Sequence, residues 1–269
     1  MAAGSILNNI SALGASRQLG ITSMGLEKTI QRLTTGKRIN MAADDAAGLA
    51  ISNKIGADIR IANQGRRNAY DGVAMSQVAD GVLEEVTSLL TRAAELAEQA
   101  ATGTISDSNR DATNAEFQKI KDALDNIATN TKFNGQTVFG GNLFVSVGDF
   151  QKLTDVKIGT LTAGDYRIKS QSLTNSTLAF NAKGEVRKMI DNVSMMRASI
   201  GANMQNMYSI ANTLGIQVEN FTAAYSQIRD ANIADEVINL TKFQVLNQSG
   251  TSALGQSNQA AQSVLSLLR

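Results

Sequence analysis

From Val186 to Ile228 one line of residues recurs at alternating intervals of four and three: Val186, Ile190, Val193, Arg197, Ile200, Met204, Met207, Ala211, Leu214, Val218, Phe221, Tyr225 and Ile228. Only Arg197 is not apolar. Such spacing keeps a single stripe on one side of a helix, so it predicts one long helix packed as in a coiled coil. The series fails at its next two positions, Asn232 and Asp235, which predicts a boundary there. Proline, which breaks helix interiors, is absent from all 269 residues. Average usage would supply about 13.

A second seam runs through Ala79, Val82, Val86, Leu89, Ala93, Leu96 and Ala100, extending backward less strictly through Ile55, Ile59, Ala62, Ala69 and Val73. A third uses Phe117, Ile120, Leu124 and Ile127. Between them, Thr102 to Asn109 is small, polar and contains Gly103, which predicts a helix–helix turn. Three seams can share one core.

The chain ends differ. Leu19, Leu26, Ile30 and Leu33 form a stripe, and Ile6, Ile10 and Leu13 begin another in a shifted phase. At the other end Leu240, Phe243, Leu254, Ala261, Val264 and Leu268 share a heptad frame with Asn247, Gly250 and Ser257. Helices with such interrupted seams are marginal alone. They are expected to order when packed on each other and on neighbouring copies.

The middle changes period. After Phe133-Asn134-Gly135, Val145 and Val147, Val156 and Ile158, and Tyr166 and Ile168 each pair across one residue, with turns at Gly140-Gly141-Asn142 and Ala163-Gly164-Asp165. This predicts a small β-hairpin region. The expected fold is mainly α: a long helical coiled-coil bundle built from both chain ends, interrupted by a β-rich insertion. The division drawn from these patterns is 1–43 with 230–269, 44–142 with 182–229, and 143–181.

Composition excludes more than it suggests. Lysine and arginine number 25 against 24 acids, for a net charge of +1, which provides no overall field for nucleic acid or an anionic membrane. There are no cysteines and no histidines, so disulfides, thiolate chemistry, the commonest general base and the commonest metal ligand are missing. Residues 1–20 show no basic start followed by an apolar run and a cleavage site, and no stretch is long and apolar enough to span a bilayer. On composition alone the chain is expected in the cytoplasm. The Arg60, Arg66 and Arg67 cluster reads as a solvated or interfacial helix face rather than a nucleic-acid site. The exposed-looking serines and threonines of 170–177 are candidate modification sites.

The stretch 33–55 joins two helical patterns through a break at Gly36 to Asn40. It then opens a helix with Asp44 and Asp45 near its start, where carboxylates meet free amides and the helix dipole. Without histidine, that pair fits helix-start or contact roles rather than acid–base catalysis. The run Thr35-Gly36-Lys37-Arg38-Ile39-Asn40, followed by Ala42-Ala43-Asp44-Asp45-Ala46-Ala47-Gly48-Leu49-Ala50-Ile51, resembles the amino-terminal signature of bacterial flagellins. Arg92 to Ala97, the Thr131-Lys132-Phe133-Asn134-Gly135 run, and the tail from Gly250 to Leu254 and Val264 to Arg269 resemble further segments of that family, in the same order. The centre is short, and Ala261 stands where many relatives carry proline.

The resemblance implies a structural subunit rather than an enzyme, with no cofactor or metal, that self-assembles into a helical flagellar filament for swimming motility. It implies export in the unfolded state by the flagellar type III apparatus with its chaperone, and folding under the filament cap beyond the hook–filament junction proteins. The destination is then a secreted, extracellular filament, not the cytoplasm. Gly36, Lys37, Arg38, Ile39, Asn40, Asp44 and Asp45 would form a spoke between filament layers. Leu19, Leu26, Ile30, Leu33, Leu240, Phe243, Leu254, Val264 and Leu268 would pack the terminal helices. Arg92, Leu96 and Glu116 match family positions for axial subunit contact and for the vertebrate flagellin-sensing Toll-like receptor, although Ala94 replaces a common second arginine. The related hook–filament junction proteins match 33–55 and the tail less well. A protease-bearing flagellin would need a His-Glu-x-x-His helix, which this chain lacks.

Overall fold

A computed structural model describes residues 9–140, 142–147, 153–157, 161 and 168–267. Five α-helices dominate: α1 (Ile10–Thr35), α2 (Ala46–Ala101), α3 (Asp107–Asn130), α4 (Ser176–Arg229) and α5 (Ile233–Leu267). Between α3 and α4 lie β1 (Lys132–Phe133), β2 (Gln136–Thr137), β3 (Asn142–Ser146), β4 (Leu153–Lys157) and a 3-10 turn at Ile168–Ser170. The chain is thus mainly helical with small hairpins in its middle, as the seams predict. It divides into two compact units, one of 1–58 with 220–269 and one of 59–219.

The 59–219 unit holds the large core. Leu83, Val86, Leu90, Leu96, Phe117, Leu124, Val186, Met189, Val193 and Ile200 are all at or below 1% exposure. On α2 the buried line is Ala79, Leu83, Val86, Leu90, Ala93, Ala97 and Ala100, while Val82 and Leu89 of the expected seam sit half-buried beside it. Both lines contact one cluster to which α3 and α4 contribute. A helix with two partners needs an apolar stripe wider than a two-helix seam. On α4, Val186, Val193, Ile200, Met207, Ala211 and Leu214 are buried. Arg197, the polar member of that seam, places Nε 2.8 Å from Asp80 Oδ1.

The turn after α2 is built around a buried cation. Arg110 donates to the carbonyls of Ala100 (3.0 Å), Thr102 (3.4 Å) and Ile105 (3.3 Å), and pairs with Asp107 at 2.6 Å. It thereby satisfies carbonyls that a helix end leaves unbonded. Ser176 Oγ takes the next one, donating to Ala101 O at 2.7 Å, so the start of α4 is fastened to the end of α2. Lys121 reaches from α3 to the carbonyls of Lys169 (3.0 Å) and Gln171 (2.9 Å). Burial pushes its ammonium below the usual lysine range.

β1 and β2 form a hairpin across Asn134 (φ 50°) and Gly135 (φ 81°), the positive-φ pair that a two-residue turn of this kind demands. β3 and β4 pair antiparallel, with Val145 opposite Thr154 and Leu143 opposite Val156. Val147 lies just beyond β3, and Ile158 and Tyr166 fall outside the described residues. Ile168, expected in a strand, lies instead in the 3-10 turn at 1% exposure. The correction has a physical source: the carbonyls following it are taken by Lys121, which leaves no strand ladder to join. Helix α4 begins at Ser176, within the stretch assigned to the insertion.

In the other unit α1 and α5 run antiparallel, with one register along their length. Asn9 Nδ2 donates to Ser257 O (3.0 Å), Asn247 Nδ2 donates to Ser23 Oγ (3.0 Å), and Arg32 Nη1 donates to Glu236 Oε1 (3.0 Å). A side chain at Gly25 would sit 2.7 Å from the Phe243 ring, and one at Gly250 would sit 3.2 Å from Leu19.

Candidate functional site

The break between α1 and α2 is a short two-stranded tie. Gly36 closes α1 in the left-handed region (φ 67°), where a Cβ would be strained. Its carbonyl accepts from Ala231 N at 2.9 Å, and Arg38 N donates to Arg229 O at 2.7 Å. Lys37 and Asp230 thus face each other in an antiparallel bridge, and Arg38 Nη2 donates to Ile228 O at 2.8 Å. The outgoing chain at 36–38 is therefore hydrogen-bonded to the returning chain at 228–231. The heptad series that stops after Ile228 ends where α4 gives way to α5, between Arg229 and Ile233.

The two acids divide the labour. Asp45 caps α2, with Oδ1 accepting from Gly48 N at 2.8 Å. Asp44 instead organises the loop. Its carboxylate accepts from Asn40 N (3.2 Å) and Met41 N (3.3 Å) and pairs with Lys28 Nζ of α1 at 2.6 Å. The Lys28 hydrogen bond, aided by the backbone amide of Asn40, holds its pKa down at about 2. Asn40 Nδ2 donates to Lys37 O at 3.0 Å, and Ile39 is buried at 1% exposure beneath Gly48. All seven spoke residues therefore sit in one clasp. Lys28, Arg229 and Glu236, which complete it and its flank, escaped sequence reasoning because no apolar period marks them.

On the terminal pair, Leu19, Leu26, Leu33, Leu240, Phe243 and Leu254 are half-buried. Ile30 is 47% exposed. Val264 lies in α5, its side chain outside the described residues, and Leu268 lies outside them altogether. The polar interruptions of the α5 frame face α1: Asn247 bonds Ser23, Gly250 admits Leu19, and the carbonyl of Ser257 accepts from Asn9. The pair also leaves large apolar side chains uncovered among its exposed polar ones: Ile10, Leu13, Ile21 and Met24 of α1, and Val237, Ile238, Val245 and Leu246 of α5, are each 42% exposed or more. An uncovered apolar surface of this kind marks an interaction site.

Arg92 is exposed and bonds Glu116 Oε1 through Nε (2.8 Å) and Glu95 Oε2 through Nη1 (3.2 Å), which holds the guanidinium more firmly protonated than usual. Leu96, grouped with them from sequence, is 1% exposed and packs in the core beneath. The structure therefore brings Arg92 and Glu116 together at the surface, while Leu96 belongs to the core. Among the described residues no group of acids is placed to hold a metal ion, and no helix is long and apolar enough to cross a membrane.

The chain is similar to known proteins along both halves. A model of the bacterial flagellin N-terminal helical region matches residues 6–143, and one of the C-terminal helical region matches 184–268. The chain is 37% identical to flagellin FlaB1 of Treponema pallidum, across 98% of this chain and 99% of that one. It is 36% identical to a flagellin of Halalkalibacterium halodurans and 32% identical to that of Bacillus subtilis, each again over 98% of this chain and 99% of the other. Family matches over both halves in order, and identity across nearly the whole of several flagellins, lead to one conclusion: the chain belongs to the bacterial flagellin family, as a structural subunit of the flagellar filament serving motility, and not an enzyme.

Proposed function

We propose that this subunit polymerises with copies of itself through the α1–α5 pair, whose uncovered apolar residues become the inner contacts of a secreted, extracellular filament. The observation that carries this reading is the set of large apolar side chains, Ile10, Leu13, Ile21, Met24, Val237, Ile238, Val245 and Leu246, left exposed on the outer sides of the two helices in the single copy. Removing such surface from water stabilises by about 25 cal/mol per Å2, so neighbouring copies supply what one copy lacks. In this reading 1–43 with 230–269 forms the channel wall, 44–142 with 182–229 the surrounding layer, and 143–181 the variable insertion. Gly36 to Asn40 with Asp44 and Asp45 is the spoke between the layers. Both chain passages are hydrogen-bonded at that level, which supports this role.

The chain travels unfolded through the flagellar type III apparatus with a chaperone, and folds under the cap beyond the junction proteins. Ordering of the terminal helices is completed by assembly. The Arg92–Glu116 surface serves axial subunit contact, and in the monomer it serves the vertebrate Toll-like receptor for flagellin. Leu96 acts from below by holding Arg92 in place.

Electron microscopy after heat dissociation and salt-induced reassembly tests the reading. Long filaments are expected from the full chain. A chain lacking 240–269 is expected to remain monomeric while retaining the circular dichroism of a helical 59–219 unit. Filaments formed by the truncated chain would contradict the role given to α5.

A further inference from the structure

One solvent-facing side of α2 is polarised in charge. From 59 to 70 it carries Arg60, Arg66 and Arg67 with no acid, and all three are exposed. From 71 to 98 it carries Asp71, Asp80, Glu84, Glu85, Glu95 and Glu98 against Arg92 alone. Several of these acids are occupied within the subunit: Asp80 by Arg197, Glu95 by Arg92 and Glu98 by Lys183. Glu84 meets Arg197 only at 3.8 Å. Among the described residues Arg60, Arg66 and Glu85 enter no ion pair, and Arg67 is engaged only by Gln64 of its own helix. Tyr70 (48% exposed) closes the basic block and Val78 (40%) lies early in the acidic one.

The helical repeat arranges these charges in two lines. Arg66 and Glu84 are separated by 18 positions, as are Arg67 and Glu85. That is five turns at 3.6 residues each, so each pair shares a phase, with about 27 Å between its members. The Arg66–Glu84 line lies about 100° around the helix from the Arg67–Glu85 line. The two lines therefore form opposite flanks of one exposed face. The Arg66 flank borders α4, its guanidinium 3.9 Å from where a Gly215 Cβ would lie, next to Ile216, itself 61% exposed.

We propose that this face is a lateral docking surface for a second copy of the chain, with Arg66 of one copy meeting Glu85 of its neighbour. The proposal rests on the filament reading above. Parallel neighbours that set one flank against the other bring these two residues together at an axial stagger of about 28 Å, from 19 residues at 1.5 Å each. The contact is heterologous, because unlike flanks meet, so it propagates along a lattice rather than closing a dimer. The charge complementarity selects a second copy as the occupant: each copy offers an unpaired cation and an unpaired anion on flanks that face in different directions. Exposed pairs of this type are individually weak and act mainly on encounter rate and register.

The chain has no cysteine, so engineered thiols report without background. Arg66→Cys and Glu85→Cys subunits are made separately, mixed, polymerised and oxidised, then run on denaturing gels without reductant. Disulfide dimers specific to the mixture are expected, and are expected to be absent from each single-cysteine filament. In parallel, Arg66→Glu alone and Glu85→Arg alone should each slow assembly about tenfold. The double exchange Arg66→Glu/Glu85→Arg should restore most of the rate, which a merely structural defect would not allow. Circular dichroism confirms that all variants remain helical. Filaments that form at the normal rate with Arg66→Glu and give no mixed dimer would overturn the proposal while leaving the filament reading intact. Failure of the unaltered chain to polymerise would sink both.

Discussion

Lys28 and two backbone amides converge on the Asp44 carboxylate, whereas Asp45, one residue on, spends its oxygen on the first turn of α2. The Asp44 interactions favour the charged form, and its pKa falls from 3.8 to about 2. The sign follows directly. A carboxylate with a depressed folded pKa contributes stability above its unfolded value, and that contribution is lost as pH falls through the folded one. The window here runs from about pH 4 down to about pH 2. Because Lys28 is half exposed, solvent screening reduces the effect to about 1 kcal/mol. Thermal unfolding at pH 7 and near pH 2.5 should show Asp44→Asn less stable than the parent at the higher pH, with most of that difference lost at the lower. An unchanged difference at both pH values would contradict the clasp. Sequence reading located these acids and tied them to a helix start. It did not separate their roles, because the separation depends on Lys28, sixteen residues away on α1.

At the scale of elements, apolar period predicted α2, α3 and α4 with their main breaks, since one repeating stripe suffices to mark a helix that buries one side. It underread α2, where Leu83 and Leu90 form a second buried line alongside Val82 and Leu89. It passed over the Asn134-Gly135 hairpin, although that dipeptide carries the turn signal itself. It assigned Ile168 to a strand because alternation over a few residues cannot see a lysine from another helix claiming the neighbouring carbonyls. The connections are the least legible part, since they are built from charged side chains bonding to main chain. Arg110 is the sharpest case, lying buried against three carbonyls at the α2–α3 turn. Replacing it by Met keeps the apolar stem and leaves those carbonyls unpaired, at a cost of about 2–3 kcal/mol. A lower urea midpoint with unchanged slope is expected. A change under 0.5 kcal/mol would show that water or a local rearrangement replaces the guanidinium.

For the molecule as a whole, the two units bury themselves unequally. In 59–219, residues from α2, α3, α4 and the hairpins close a continuous core. In the terminal unit, α1 and α5 touch along a register held largely by polar groups, with Thr22 and Thr29 among the buried residues and large apolar side chains outside. The interrupted seams foretold that imbalance, and the structure shows what the interruptions accomplish: they accommodate the partner helix in the pair. The remaining apolar face is what polymerisation would cover. Native-state hydrogen exchange, compared between monomer and reassembled filament, reads this most directly, because protection reports local opening free energy. Amides of 10–35 and 233–267 should exchange readily in the monomer and become protected by about a thousandfold or more in the filament, equivalent to about 4 kcal/mol. Amides in the core of 59–219 should be protected in both states. Equal protection of the terminal helices in monomer and filament would contradict the coupling of their order to assembly.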